Sequence, residues 1–148
     1  MQPNLEAIKR TLGGLFQPGD TIELRSLGDR VGNGYYRDQS KLAQDALELS
    51  NAGQNVYAGL NPVRPARYAR RADQFGHGKR GSSTRDQDIP RRRWLLVDID
   101  PVRPSGVSAT DEQKQHALDL AKVVYAWLRE KLGSGCLVCA DSGNGAHV

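Results

Sequence analysis

The run WLLVDID (94–100) is apolar until it closes on two carboxylates, Asp98 and Asp100. On a strand, residues two apart point to the same face, so the pair shares one side while Leu95, Val97 and Ile99 take the other. Neighbouring carboxylates repel, and the arrangement is costly unless a cation neutralises it. Mg²⁺ or Mn²⁺ suits such oxygen ligands and keeps waters or substrate phosphates in its remaining positions. Pro101 ends the strand, which leaves the pair at an edge a ligand can reach. Taken alone, D-x-D also serves as a plain strand exit, with Asp100 capping the turn.

A second constellation is DSGNGAHV (141–148). Gly143 and Gly145 permit backbone geometry that exposes amide N–H groups to phosphate oxygens. Ser142 offers a hydroxyl, and His147 an imidazole that is cationic when protonated and can donate to phosphate. The plainer alternative is a hairpin turn, signalled by Asn144-Gly145, with a histidine at the core edge. His77 and His116 are read as structural or solvated.

These residues need elements to hold them. Leu5, Ile8 and Leu12 predict a helix over 4–13, with Asn4 as cap and Gly13-Gly14 as stop. Alternation predicts a strand over 21–27, and GDRVGNGYYRDQ (28–39) reads as a loop or irregular hairpin. A helix is expected over 40–52 and a strand over 55–62, stopped by Pro62. The second half starts with a strand over 92–99. The clearest helix spans 110–132, where Thr110 and Gln113 make a capping box. Its stripe is Ala117, Ala121, Val124, Tyr125, Leu128 and Leu132, and Gly133 closes it. A strand over 136–141 and the SGNG turn follow.

Composition narrows the class of partner. The 148 residues predict one domain with a modest core, a mean hydropathy of −0.61 predicts a soluble chain, and no apolar run approaches the ~20 residues needed to span a bilayer. MQPNLEAIKR lacks the apolar centre of a secretory signal, which predicts a cytoplasmic protein. The net charge of +4 is unevenly spread: residues 64–93 hold ten Lys/Arg against three Asp, leaving −3 for the rest. Such a segment (63–91) reads either as a solvated loop or as a surface that orders on a phosphate-rich ligand. Cys136 and Cys139 are spaced C-x-x-C, but no second ligand pair or following helix accompanies them, so they read as small apolar residues of a buried strand.

An apolar strand ending D-x-D, a capped helix, and a strand followed by S-G-x-G-x-H form an ordered set. It closely resembles the archaeo-eukaryotic primase superfamily, in particular the primase-polymerases of phages, plasmids and other mobile elements. The resemblance covers nearly the whole chain and implies an α/β (α+β) fold: an (αβ)₂ module (1–62), the basic loop (63–91), then the first half of an RRM-like βαβ module (92–148). It implies that Asp98 and Asp100 bind metal, and that Ser142, Gly143, Asn144, Gly145 and His147 bind the phosphates of an incoming nucleotide. The family's third motif, a further metal-binding carboxylate, is expected beyond Val148, so the chain is expected to be truncated.

The implied reaction is two-metal nucleotidyl transfer from a nucleoside triphosphate to a nucleic-acid 3′-hydroxyl, with Mg²⁺ or Mn²⁺ as cofactor. The implied partners are single-stranded DNA template or primer-template, with a helicase or zinc module as typical company. Strand alternation puts Arg92 on the face of Asp98 and Asp100, and Arg91 and Arg93 on the other; all three are candidates for nucleic-acid contact. Two other classes remain open. One is a non-catalytic nucleic-acid-binding module, although the nine aromatic residues form no obvious stacking platform. The other is a metal-dependent phosphoesterase using Asp98, Asp100 and His147.

Overall fold

The structure, a computed structural model, describes residues 4–27, 31–78, 83–104, 106–133, 135 and 137–148. Expectations for Lys79, Arg80 and Cys136 lie outside the described residues. The fold is mixed α/β with two small antiparallel sheets. The chain forms two compact units, Met1–Trp94 and Leu95–Val148.

In the first unit, α1 (Leu5–Leu15) starts where the Asn4 side chain accepts from the amides of Glu6 and Ala7, at 2.9 and 3.2 Å. The helix runs through Gly13-Gly14, the expected stop. Each interior glycine costs about 1 kcal/mol, but Leu12 and Phe16 on either side are buried and hold the last turn in place. A second helix, α2 (Gln39–Asn51), is capped by Asp38.

Strands β1 (Ile22–Leu27), β2 (Gly32–Tyr36), β3 (Asn55–Ala58) and β4 (Gly76–His77) form a sheet of order β3-β1-β2-β4. The stretch read as a loop or irregular hairpin thus supplies a central strand. Its glycines are required by packing: a Cβ on Gly34 would lie 2.3 Å from the Gln74 carbonyl oxygen. Ile22, Leu24 and Tyr36 face the helices and pack with Leu12, Phe16, Leu42, Ala43 and Ala46.

The opposite face carries Glu23, Asn33 and Tyr35, all buried. Glu23 accepts from Asn33 Nδ2 and from the amide of Thr84, each at 3.0 Å, and pairs with Arg25 at 2.7 Å. The described parts of the basic segment are therefore folded onto the sheet rather than a free loop. It forms 3₁₀ turns at Pro65–Arg70 and Asp86–Asp88. Arg67 pairs with Asp88, and Arg71 donates to the carbonyls of Asn33 and His77 at 3.1 and 2.7 Å. Half-buried carboxylates and carbonyls draw these arginines inward because each offers an acceptor that an unpaired sheet face would lack.

In the second unit the sheet has β5 (Asp98–Ile99), β6 (Ala140–Asp141) and β7 (Ala146–His147) in the order β5-β7-β6. Both outer strands are antiparallel to β7, so they run parallel to each other. The helix α3 (Asp111–Leu132) connects them, and its capping box is formed as the sequence predicts: Thr110 Oγ1 accepts from Gln113 N at 3.2 Å, and Gln113 Oε1 from Thr110 N at 3.0 Å. Ala117 and Ala121 bring α3 close onto Ile99 and Ala146. The far end of the predicted stripe departs from expectation, since Leu132 is exposed.

The strand expected over 92–99 begins later. Its first ladder bonds are between Val97 and Val148, N to O at 2.8 and 3.0 Å in the two directions. Upstream, Asn61 Oδ1 accepts from the amides of Arg93 and Trp94 at 2.7 and 2.8 Å, and the Trp94 indole donates to the Leu15 carbonyl at 2.8 Å. Those bonds tie 93–94 to the first unit. The strand expected over 136–141 is likewise confined to Ala140–Asp141, and Cys139 is exposed instead of buried. Among the described residues no helix is long and apolar enough to cross a membrane.

Candidate functional site

The two sequence motifs meet on adjacent strands of the second unit. Asp98 pairs in register with His147, and Ile99 with Ala146. His147 Nε2 stands 3.3 Å from Asp98 Oδ1, with both side chains substantially exposed. Ile99 is buried under α3, while Asp98 and Asp100 are exposed, which is the alternation that D-x-D on a strand predicts.

Gly145 closes the approach between the motifs. A Cβ there would lie 2.2 Å from the Ile99 carbonyl oxygen and 2.7 Å from Asp100 Oδ1. The turn is knit by Ser142 N donating to Gly145 O at 3.1 Å and Gly145 N to Ser142 Oγ at 3.0 Å. Gly143 has φ 94° and donates its amide to Asp141 Oδ1 at 2.7 Å. The two glycine amides expected to face phosphate are therefore engaged inside the turn. Ser142 Oγ accepts one bond and keeps its own proton to donate. Asn144 Oδ1 accepts from the Ala109 amide at 3.1 Å, which tethers the turn to the entrance of α3.

Charged neighbours that the motifs do not include surround this strand edge. Lys114 Nζ lies 2.9 Å from Asp141 Oδ2. The Lys114 ammonium, with the Gly143 amide, holds the Asp141 carboxyl below the usual range. Arg103 Nη2 lies 3.4 Å from Asp100 Oδ2, while Nη1 donates to the Val107 carbonyl at 2.7 Å. The sequence signal for Arg103 was its place three residues after Asp100 in the proline-bracketed turn DPVRP.

Of the three candidate arginines, Arg93 is committed elsewhere, pairing with Asp20 through both Nη atoms at 2.6 and 3.2 Å. Arg91 and Arg92 are exposed. All three belong to the first unit and precede the ladder, so the alternation that placed Arg92 with Asp98 and Asp100 does not operate there.

Among the described residues no group of three or more His, Cys, Asp or Glu is placed to hold a metal ion. Two exposed carboxylates fit a hard cation of the Mg²⁺ or Mn²⁺ type, which takes one or two carboxylates and completes its shell with water and substrate phosphates. Comparison with known protein families, with curated proteins and with solved structures finds no match.

Proposed function

We propose that the chain is part of a primase-polymerase of the archaeo-eukaryotic type, in which the second unit binds a divalent metal and the triphosphate of an incoming nucleotide. The observation that carries this reading is the Asp98–His147 register, which makes neighbours of two motifs nearly fifty residues apart. The split β-α-β order of the second sheet supports an RRM-like half. The helix–strand–helix–strand succession of the first unit, with β2 inserted, supports the (αβ)₂ half.

In this reading Asp98 and Asp100 hold Mg²⁺ or Mn²⁺. A metal held there would supply charge neutralisation for the triphosphate and would acidify an attacking 3′-hydroxyl. Asp98 orients the imidazole of His147, which donates to a phosphate oxygen, and the Ser142 hydroxyl donates to another. Positioning and charge neutralisation supply most of the acceleration in phosphoryl transfer, and this is what a rigid strand pair offers. Within the second unit a stacking platform is disfavoured, because β5, β6 and β7 carry no Phe, Tyr or Trp.

The test is calorimetric titration of a deoxynucleoside triphosphate with and without Mn²⁺. Wild type is expected to bind in a Mn²⁺-dependent way. Asp98→Asn/Asp100→Asn should lose that binding, and His147→Gln should weaken it about tenfold, the loss of one charge-assisted hydrogen bond. Binding that survives the double substitution sinks the reading. A nucleic acid that shortens while triphosphate is untouched would assign the site to a phosphoesterase instead.

A further inference from the structure

Arg103 is placed unusually for a residue of an exposed turn. Its side chain is only 19% accessible, against 46% for Asp100, with which it pairs at 3.4 Å. Its Nη1 is fixed by the Val107 carbonyl, and its Nε is buried with no hydrogen-bond partner. Pro101 and Pro104 bracket the turn and restrict its backbone, which keeps the guanidinium near the carboxylate. Asp100 is thus open to a ligand from solvent but already neutralised by a resident cation. That cation has five donors, of which the buried Nε–H is unsatisfied.

Resting on the reading above, we propose that Arg103 is the counter-ion of Asp100 in the metal-free chain and a phosphate-binding residue in the loaded one. It opposes a bare divalent ion, because the two cations compete for one carboxylate. It favours the metal–triphosphate complex, because phosphate oxygens can accept from the planar fork that Asp100 then releases. The site accordingly selects metal bound to a triphosphate over metal alone, a coupling that works in both directions.

The test compares Mn²⁺ alone with Mn²⁺ plus a deoxynucleoside triphosphate, by calorimetry, on wild type, Arg103→Gln and Arg103→Lys. Arg103→Gln should bind Mn²⁺ alone at least about fivefold tighter and the Mn²⁺–triphosphate complex at least about fivefold weaker, within the usual range of coupling between sites. A gain in affinity for bare metal is not produced by a turn that has merely been damaged. Arg103→Lys retains the charge but not the fork, so its Mn²⁺ affinity should stay near wild type while its triphosphate affinity falls.

Equal losses for both ligands, or no change in either, would overturn the role. Should Arg103→Gln fail to fold, Arg103→Lys decides by the same split. If Asp98→Asn/Asp100→Asn abolishes binding while both Arg103 variants track wild type, only the counter-ion role fails. If wild type binds no Mn²⁺–triphosphate, the reading of the site fails first.

Discussion

Gly145 meets the backbone of Ile99 so closely that a methyl group on it would lie 2.2 Å from the Ile99 carbonyl oxygen. The glycine of the turn and the strand bearing the carboxylates are fitted to each other, with no space between for any side chain. The neighbouring glycine differs in kind. Gly143 has open space around the position of its missing Cβ, and its only demand is a φ of 94°.

Gly145→Ala is therefore expected to destabilise the chain by about 1–3 kcal/mol, since backbone must shift to admit the methyl. Gly143→Ala should cost about 1 kcal/mol, the penalty for a left-handed backbone alone. Urea unfolding of both variants checks the order. The Gly145 variant should also lose Mn²⁺-dependent triphosphate binding, because Asp100 lies in the path of the collision.

Arg92 and Arg93 are adjacent but should behave differently. Arg93 is a bidentate partner of Asp20, so Arg93→Ala should lower the urea midpoint. Arg92 is exposed, and Arg92→Ala should leave that midpoint unchanged. If Arg92 meets a phosphate of single-stranded DNA, its removal should reduce the slope of log affinity against log salt by about 0.7. An unchanged slope removes Arg92 from the nucleic-acid surface.

Acid should loosen the first unit. Arg67, with the Arg85 amide, holds the Asp88 carboxyl below the ordinary range. Burial pushes Asp20 up, but Arg93 and the Gln17 amide outweigh it, and the net shift is downward. Burial likewise raises Asp73, and the Tyr68 hydroxyl with the Asp38 and Arg37 amides overcomes it. Each group is more acidic folded than in an unfolded chain, where Asp titrates near about 3.9. Their contribution is thus complete above about pH 4 and lost as pH falls through the folded values. The urea midpoint should hold down to about pH 4 and drop below it, and Asp88→Asn should flatten that drop.

What the sequence discloses follows from how local each determinant is. Thr110 and Gln113 lie three residues apart and form their cap without outside help, so α3 is legible to within a residue at its start. The SGNG turn and the alternation of Asp98, Ile99 and Asp100 are legible for the same reason. The extent of the carboxylate strand is not, because Asn61 and Leu15, far off in sequence, capture Arg93 and Trp94. β2 is obscured by glycines whose need arises from Gln74 and Phe75. The folding of the basic segment depends on Glu23 and Asp88 accepting from it, and a count of charges cannot display that. Arg103 is an intermediate case: its place three residues after Asp100 in DPVRP is visible in the sequence, but that the side chain returns to the carboxylate depends on the path of the turn.

The ladder that joins β5 to β7 is short: two paired positions and the mutual amide bonds of Val97 and Val148. A ligand that bridged Asp98 and His147, as proposed, would act as a stitch across that short seam. Part of the affinity of such a ligand is spent on keeping the seam closed, and the exchange of the Val97 and Val148 amide protons with solvent would record how long it stays so.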